Sequence, residues 1–159
     1  MNKNFIKQMI AEFIGTYFLV FFGCGAVIVM QKFTGVPPFI IPVAFGGVVS
    51  VMIYATGHIS GAHFNPAVTI AFAVARHFPI TKVIGYIIAQ VSAAILASWS
   101  HALFFTYEGH GFGVTSFAIS PGLGFGFEFL LSFILMFVII AVATDTRAKG
   151  EMAGLAIGT

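Results

Sequence analysis

Between Gly57 and Arg76 the chain reads GHISGAHFNPAVTIAFAVAR, a polar, turn-rich run that gives way to an almost wholly apolar one. The side chain of Asn65 carries two N–H donors and one acceptor. Asn placed directly before Pro is a strong helix start, because the Asn oxygen caps the first turn and Pro lacks an N–H that would go unpaired. With its oxygen spent on the cap, Asn65 keeps a free amide NH2 with which to orient a small polar molecule. Just ahead of it Gly61, Ala62, His63 and Phe64 offer backbone carbonyls in a row, and the small Gly and Ala permit close approach. The chemistry this suits is the exchange of hydrogen bonds with a passing solute, not bond making. His58 and His63 stand five positions apart with no carboxylate or Cys beside them, so they are read as loop anchors and not as metal ligands. No Ser/His/Asp or Cys/His arrangement, metal cluster or phosphate-binding loop stands out, so the sequence reads as a non-enzyme with no cofactor.

The elements that must hold these residues are membrane elements. Hydrophobic residues make up 59% of the chain and charged residues 8%, against about 25% charged in soluble domains; mean hydropathy is +1.04. Four apolar runs, at about 10–30, 40–57, 81–104 and 124–143, are long enough to span a bilayer. The helix opening at Pro66 is not: from Pro66 to Ala75 it reaches about 15 Å, half of a hydrocarbon core. A half-helix starting at mid-depth needs its preceding irregular backbone, Gly57 to Phe64, buried in protein or lining water, since lipid cannot satisfy the N–H and C=O groups. It also aims a positive dipole end at that path, which disfavours cations and protons.

A single cysteine, Cys24, rules out an intrachain disulfide and fits a small residue at a helix contact. Seven Lys and Arg residues are too few for nucleic-acid binding, but they report orientation. With the N-terminus cytoplasmic, Lys3, Lys7, Arg76, Lys82, Arg147 and Lys149 fall inside and only Lys32 outside. Two spans open alike, with Glu12 and Thr16 in AEFIGT and Glu128 and Ser132 in FEFLLS. Acidic residues inside spans are costly and mark supporting or functional positions, and such internal echoes accompany inverted-repeat transporters with a site at mid-membrane. The counterpart of Asn65, at the same offset from Glu128, falls at position 181, beyond Thr159.

The run SGAHFNPAV at 60–68 resembles the first Asn-Pro-Ala box of the aquaporins, the major intrinsic protein family. AEFIGTYFLVFFGCG at 11–25, GYIIAQ at 85–90 and FEFLLSFILMFVIIAVATD at 127–145 resemble that family's first, third and fourth spans in order. The resemblance looks closest to bacterial water channels. It implies an all-α membrane protein, an aquaporin-like inverted-repeat helical bundle with a re-entrant half-helix at 66–76. The first repeat would occupy 1–105, an extracellular connecting loop 106–123, and the start of a second repeat 124–159, incomplete at the C-terminus. The expectation is therefore a partial aquaporin, a multi-pass protein of the bacterial inner membrane, conducting water or, as the alternative, glycerol and other small neutral solutes. A truncated, non-conducting membrane subunit is the further alternative. By the same resemblance Phe45, Gly61, Ala62, His63, Phe64, Asn65, Pro66 and Ala67 line the pore, with Phe45 at an outer constriction. Glu12 would hold the re-entrant loop at 58–65 and Glu128 a second such loop that the sequence does not contain, and the chain would assemble as a homotetramer in the bilayer.

Overall fold

The computed structural model describes residues 2–105, 113–114, 119–144 and 150–159. It contains α1 (Lys3–Lys32), α2 (Ile40–Ser60), α3 (Pro66–Val74), α4 (Ile80–Phe104), α5 (Pro121–Thr144), one 3₁₀ turn (Gly150–Met152) and α6 (Ala153–Gly158). Four of these, α1, α2, α4 and α5, are long and apolar enough to cross a membrane.

Local sequence sets where the helices stop. Asn2 caps α1 through a bond from the Asn4 N–H. Gly61 closes α2 in the left-handed conformation, φ 90°, with its N–H on the carbonyl of Gly57; glycine takes that conformation at little steric cost. Helix α2 therefore runs through His58, Ile59 and Ser60, which the polarity of the segment had assigned to the irregular run. The non-helical stretch is confined to 61–65. Helix α3 is also shorter than the expected 66–76. Arg76 turns left-handed at φ 63°, its N–H bonds Ala73 and that of His77 bonds Phe72, the paired closure that satisfies the last carbonyls of a helix. At the other end of the chain, residues 121–123 belong to α5 and not to the connecting loop. Residues 106–112 and 115–118 of that loop, and 145–149, lie outside the described residues.

Helix α1 is the hub. It packs on α2 along one side and on α4 along the other, and small residues make both seams close. On α4, Ala89, Ala93 and Ala97 are buried, and a Cβ on Gly85 would meet the Phe5 ring and the Met9 sulfur of α1. Such small residues let helices approach where lipid supplies no hydrophobic drive. Helix α6 lies on α2 in the same way. Gly158 rests on Gly46, the Ser50 hydroxyl donates to the Gly154 carbonyl at 2.9 Å, and the Leu155 N–H donates to the Tyr54 hydroxyl at 3.3 Å. Val68 and Phe72 of α3 meet Ile139 of α5, with Ile157 of α6 against them. Large apolar side chains along α5, among them Phe125, Phe129 and Phe137, are exposed, as a lipid-facing helix requires. Cys24 is half-buried, with Gly113 against it.

Candidate pore site

Helices α2 and α3 are joined by five residues with an unusual backbone. Gly61, Ala62 and Phe64 all have positive φ, at 90°, 53° and 51°. For Ala62 and Phe64 the left-handed region costs on the order of 1–2 kcal/mol each, so something must hold them there. That holder is Glu12 of α1, which is completely buried. One carboxylate oxygen accepts from the Ser60 hydroxyl at 2.6 Å and the His63 N–H at 3.0 Å. The other accepts from the Phe64 N–H at 2.7 Å and the Gln90 side-chain amide at 2.8 Å. Four donors saturate the charge, which is the condition under which a buried carboxylate is tolerable.

A second set of bonds fixes the loop from α4. The Tyr86 hydroxyl donates to the Ser60 carbonyl at 2.8 Å, and the Gln90 amide also reaches the Thr69 hydroxyl at 2.9 Å. Thr69 gives its own proton to the Asn65 carbonyl at 3.0 Å. Its contact with His63 Nδ1 at 3.2 Å must then be donated by the imidazole, which assigns the proton of a neutral His63 to Nδ1. The ring is also stacked on Phe72 at 4.7 Å and flanked by Phe78 and Tyr86 at 4.8 and 5.3 Å. Ser60, Thr69, Tyr86 and Gln90 escaped the sequence reading. All four are uncharged polar residues within helices, and the usable signal was that such groups inside a bundle seek partners across helices.

The consequence for the loop is a division of its backbone polarity. The N–H groups of Ala62, His63 and Phe64 are bonded to Ser60 and Glu12. The carbonyls of Gly61, Ala62, His63 and Phe64 accept no hydrogen bond from the described residues. Asn65 caps α3 by accepting from the Ala67 N–H at 2.8 Å, with Pro66 at the first helical position, and its NH2 has no partner among the described residues. Asn65 and the four preceding residues border a cavity of about 160 Å³ closed on other sides by Leu19, Ile53, Leu135 and Ile139. The wall is otherwise apolar, so the loop supplies its acceptors and Asn65 its donors. Ala67, on the first turn of α3, is exposed.

Three of the expected pore residues, Phe45, Pro66 and Ala67, do not border this cavity. Phe45 lies fifteen residues before Ser60 on α2, about 22 Å along the axis, with its ring against Gly23 of α1. Glu128, expected to hold a second loop and not this one, is exposed on α5.

Gly15 of α1 lies directly under the Phe64 ring, where a Cβ has no room. Gly15→Ala is expected to push Phe64 off its bond to Glu12 and to lower stability by about 1–3 kcal/mol, the usual cost of overpacking. Thermal unfolding in detergent checks this, and an unchanged midpoint would separate the ring from the loop's rigidity.

The family model for the major intrinsic proteins matches residues 1–159. The chain belongs to the major intrinsic protein family. This family member is 52% identical to the putative aquaporin NIP4-1 of Arabidopsis thaliana over 96% of its own length, and 46% identical to nodulin-26 of Glycine max over 100%. It spans little more than half of those relatives, 54% and 59% of their lengths. Its fold superposes on the X-ray structure of the aquaglyceroporin from Plasmodium falciparum with a TM-score of 0.79 at 25% identity, covering 97% of this chain and 70% of that one. The chain is thus a multi-pass membrane member of that family, and its regular elements among the described residues are all helical. The plant relatives give no support to the bacterial affinity suggested by its motifs.

Proposed function

We propose that this chain forms the part of a water channel that carries its first re-entrant loop, with the carbonyls of 61–64 and the NH2 of Asn65 as the stations of the permeant. The observation that supports this best is the one-sided bonding of the loop. Every N–H from Ala62 to Phe64 is tied to protein, while four successive carbonyls are left for a molecule in the cavity. A permeant that both donates and accepts, as water does, exchanges bonds along such a wall without a net loss. Pro66 and Ala67 serve by starting α3, whose positive end repels cations. Phe45 would narrow the path farther along α2, Glu12 holds the first loop, and Glu128 would hold a second.

A second reading has its own support. One solved neighbour is an aquaglyceroporin, and the cavity wall beside the loop is largely apolar, which suits the carbon backbone of glycerol or another small neutral solute. The two readings separate in one experiment. Full-length protein in vesicles is given an osmotic step with an impermeant sugar and then with glycerol, and light scattering follows the volume. A water channel shrinks the vesicles fast in both without re-swelling in glycerol, whereas a solute facilitator re-swells. Vesicles no faster than empty ones in either would end both readings.

The positive-inside bias supports a cytoplasmic N-terminus, because six of the seven basic residues then lie on one side. Because the relatives named above are plant proteins, the proposal keeps a multi-pass membrane and drops the bacterial inner membrane. A homotetramer is proposed from family membership.

A further inference from the structure

Where α1 and α4 begin and α2, α3 and α5 end, a second cavity of about 420 Å³ opens below the loop. It touches Ser60, Gly61 and His63 at its inner end and reaches Gln8, His77 and Lys82 at its rim. Lys82 is held in place, its ammonium 3.0 Å from the Gln8 side-chain oxygen and 5.8 Å above the Phe5 ring. Since Gln8 accepts from Lys82, the Gln8 NH2 is left as a donor, and the ammonium makes no other hydrogen bond with the described residues. His77 is exposed, and its backbone N–H is spent on closing α3. No carboxylate among the described residues lines this cavity, and both oxygens of Glu12 are taken up by the loop above it.

Three donor groups on three separate segments, α1, the α3–α4 link and α4, therefore border a polar mouth where no described residue supplies an anion. A carboxylate has two oxygens for such a set, whereas a phosphomonoester has three, carries more charge, and is a customary ligand of lysine. We propose that this cavity binds a phosphomonoester group through Lys82, His77 and Gln8. The volume leaves room for a small organic portion beyond the phosphate. Bound there, the anion stands across the inner end of the path beneath Gly61 and His63, an inference that rests on the channel reading. The phosphate group belongs either to a soluble ester or to an anionic lipid headgroup reaching in from the membrane rim.

The test reads binding directly. Full-length protein in phosphatidylcholine nanodiscs is titrated with inorganic phosphate and followed by phosphorus NMR line width and calorimetry. Saturable binding in the millimolar range is expected, weakened at least tenfold by Lys82→Gln, restored to within threefold by Lys82→Arg, and unaffected by Lys7→Gln, a basic neighbour outside the cavity. His77→Gln alters an exposed side chain and should weaken binding about threefold, so the question stays answerable if Lys82→Gln does not fold. In a parallel arm a tenth of the lipid is phosphatidic acid; loss of inorganic phosphate binding there, restored by Lys82→Arg in neutral lipid only, identifies the headgroup as the occupant. Phosphate binding retained in that arm identifies a soluble ester. Absence of saturable binding in neutral lipid, or equal binding by wild type, Lys82→Gln and His77→Gln, overturns the proposal. Osmotic permeability of the same preparations without phosphate is measured separately, so a dead channel that binds phosphate, or an open one that does not, shows which inference has failed.

Discussion

Glu12→Leu is expected to remove a large part of the stability of the bundle and, with it, the osmotic permeability of the proposed channel. The substitution deletes the acceptors of four donors, the Ser60 hydroxyl, the His63 and Phe64 N–H groups and the Gln90 amide. At the low end of about 1 kcal/mol for each buried donor left unpaired, the loss is on the order of 4 kcal/mol. That is a substantial share of a typical folding free energy of about 5–15 kcal/mol. Ala62 and Phe64 then have no reason to keep positive φ. Glu12→Gln should lose roughly half as much. Its single oxygen can serve one pair of donors, but its NH2 faces the other pair and opposes it. Thermal midpoints of the two variants in the same detergent are compared, with the variants reconstituted for permeability. Equal midpoints for Leu and Gln would mean that the loop is held by something other than Glu12.

Asn65→Asp is the cleaner functional test, since it should leave the fold alone. Asp caps a helix as well as Asn does, and the bond from the Ala67 N–H survives on a carboxylate oxygen. What changes is the group aimed into the cavity, from two N–H donors to a negative oxygen. At 5 Å and an effective dielectric constant of 20, a unit charge attracts a monovalent cation by about 3 kcal/mol, more than the dipole of a short helix contributes in opposition. Cation leak should rise at least tenfold while water permeability falls severalfold and the thermal midpoint stays put. Fluorescent cation flux and light scattering on one vesicle preparation supply both readings. Unchanged values of both would remove Asn65 from the path.

The fold was legible where apolar length decides it. All four spanning helices lie where hydropathy placed them, although α1 extends to Lys3 and Lys32 because a helix continues past the hydrocarbon into polar ends. The Asn65–Pro66 start was legible because cap chemistry is local. His58 to Ser60 misled, since polarity near mid-membrane was taken for irregularity, while a helix interior accepts polar side chains that find partners, as Ser60 does on Glu12. That Gly61 ends α2 could have been read from its type alone. The partners of Glu12 could not be read from spacing. Gln90, and Tyr86 which ties the Ser60 carbonyl, lie more than seventy residues after Glu12, and nothing in their local sequence reveals which way α4 faces.

The sharing of the loop's bonds between α1 and α4 also dictates an order of assembly. Residues 61–74 are synthesised before Tyr86 and Gln90, so at that stage Glu12 is present but α4, which helps to seal it from lipid, is not. A charged carboxylate and a run of strained backbone cannot wait inside hydrocarbon, where each unpaired group costs several kcal/mol. The segment must therefore be kept in a wet place, at the bilayer surface or within the insertion machinery, until α4 has entered. Only then can the half-helix drop between its neighbours. Insertion of this channel is thus not a simple sequence of spans laid down one after another, because one of its helices takes its place after its successor.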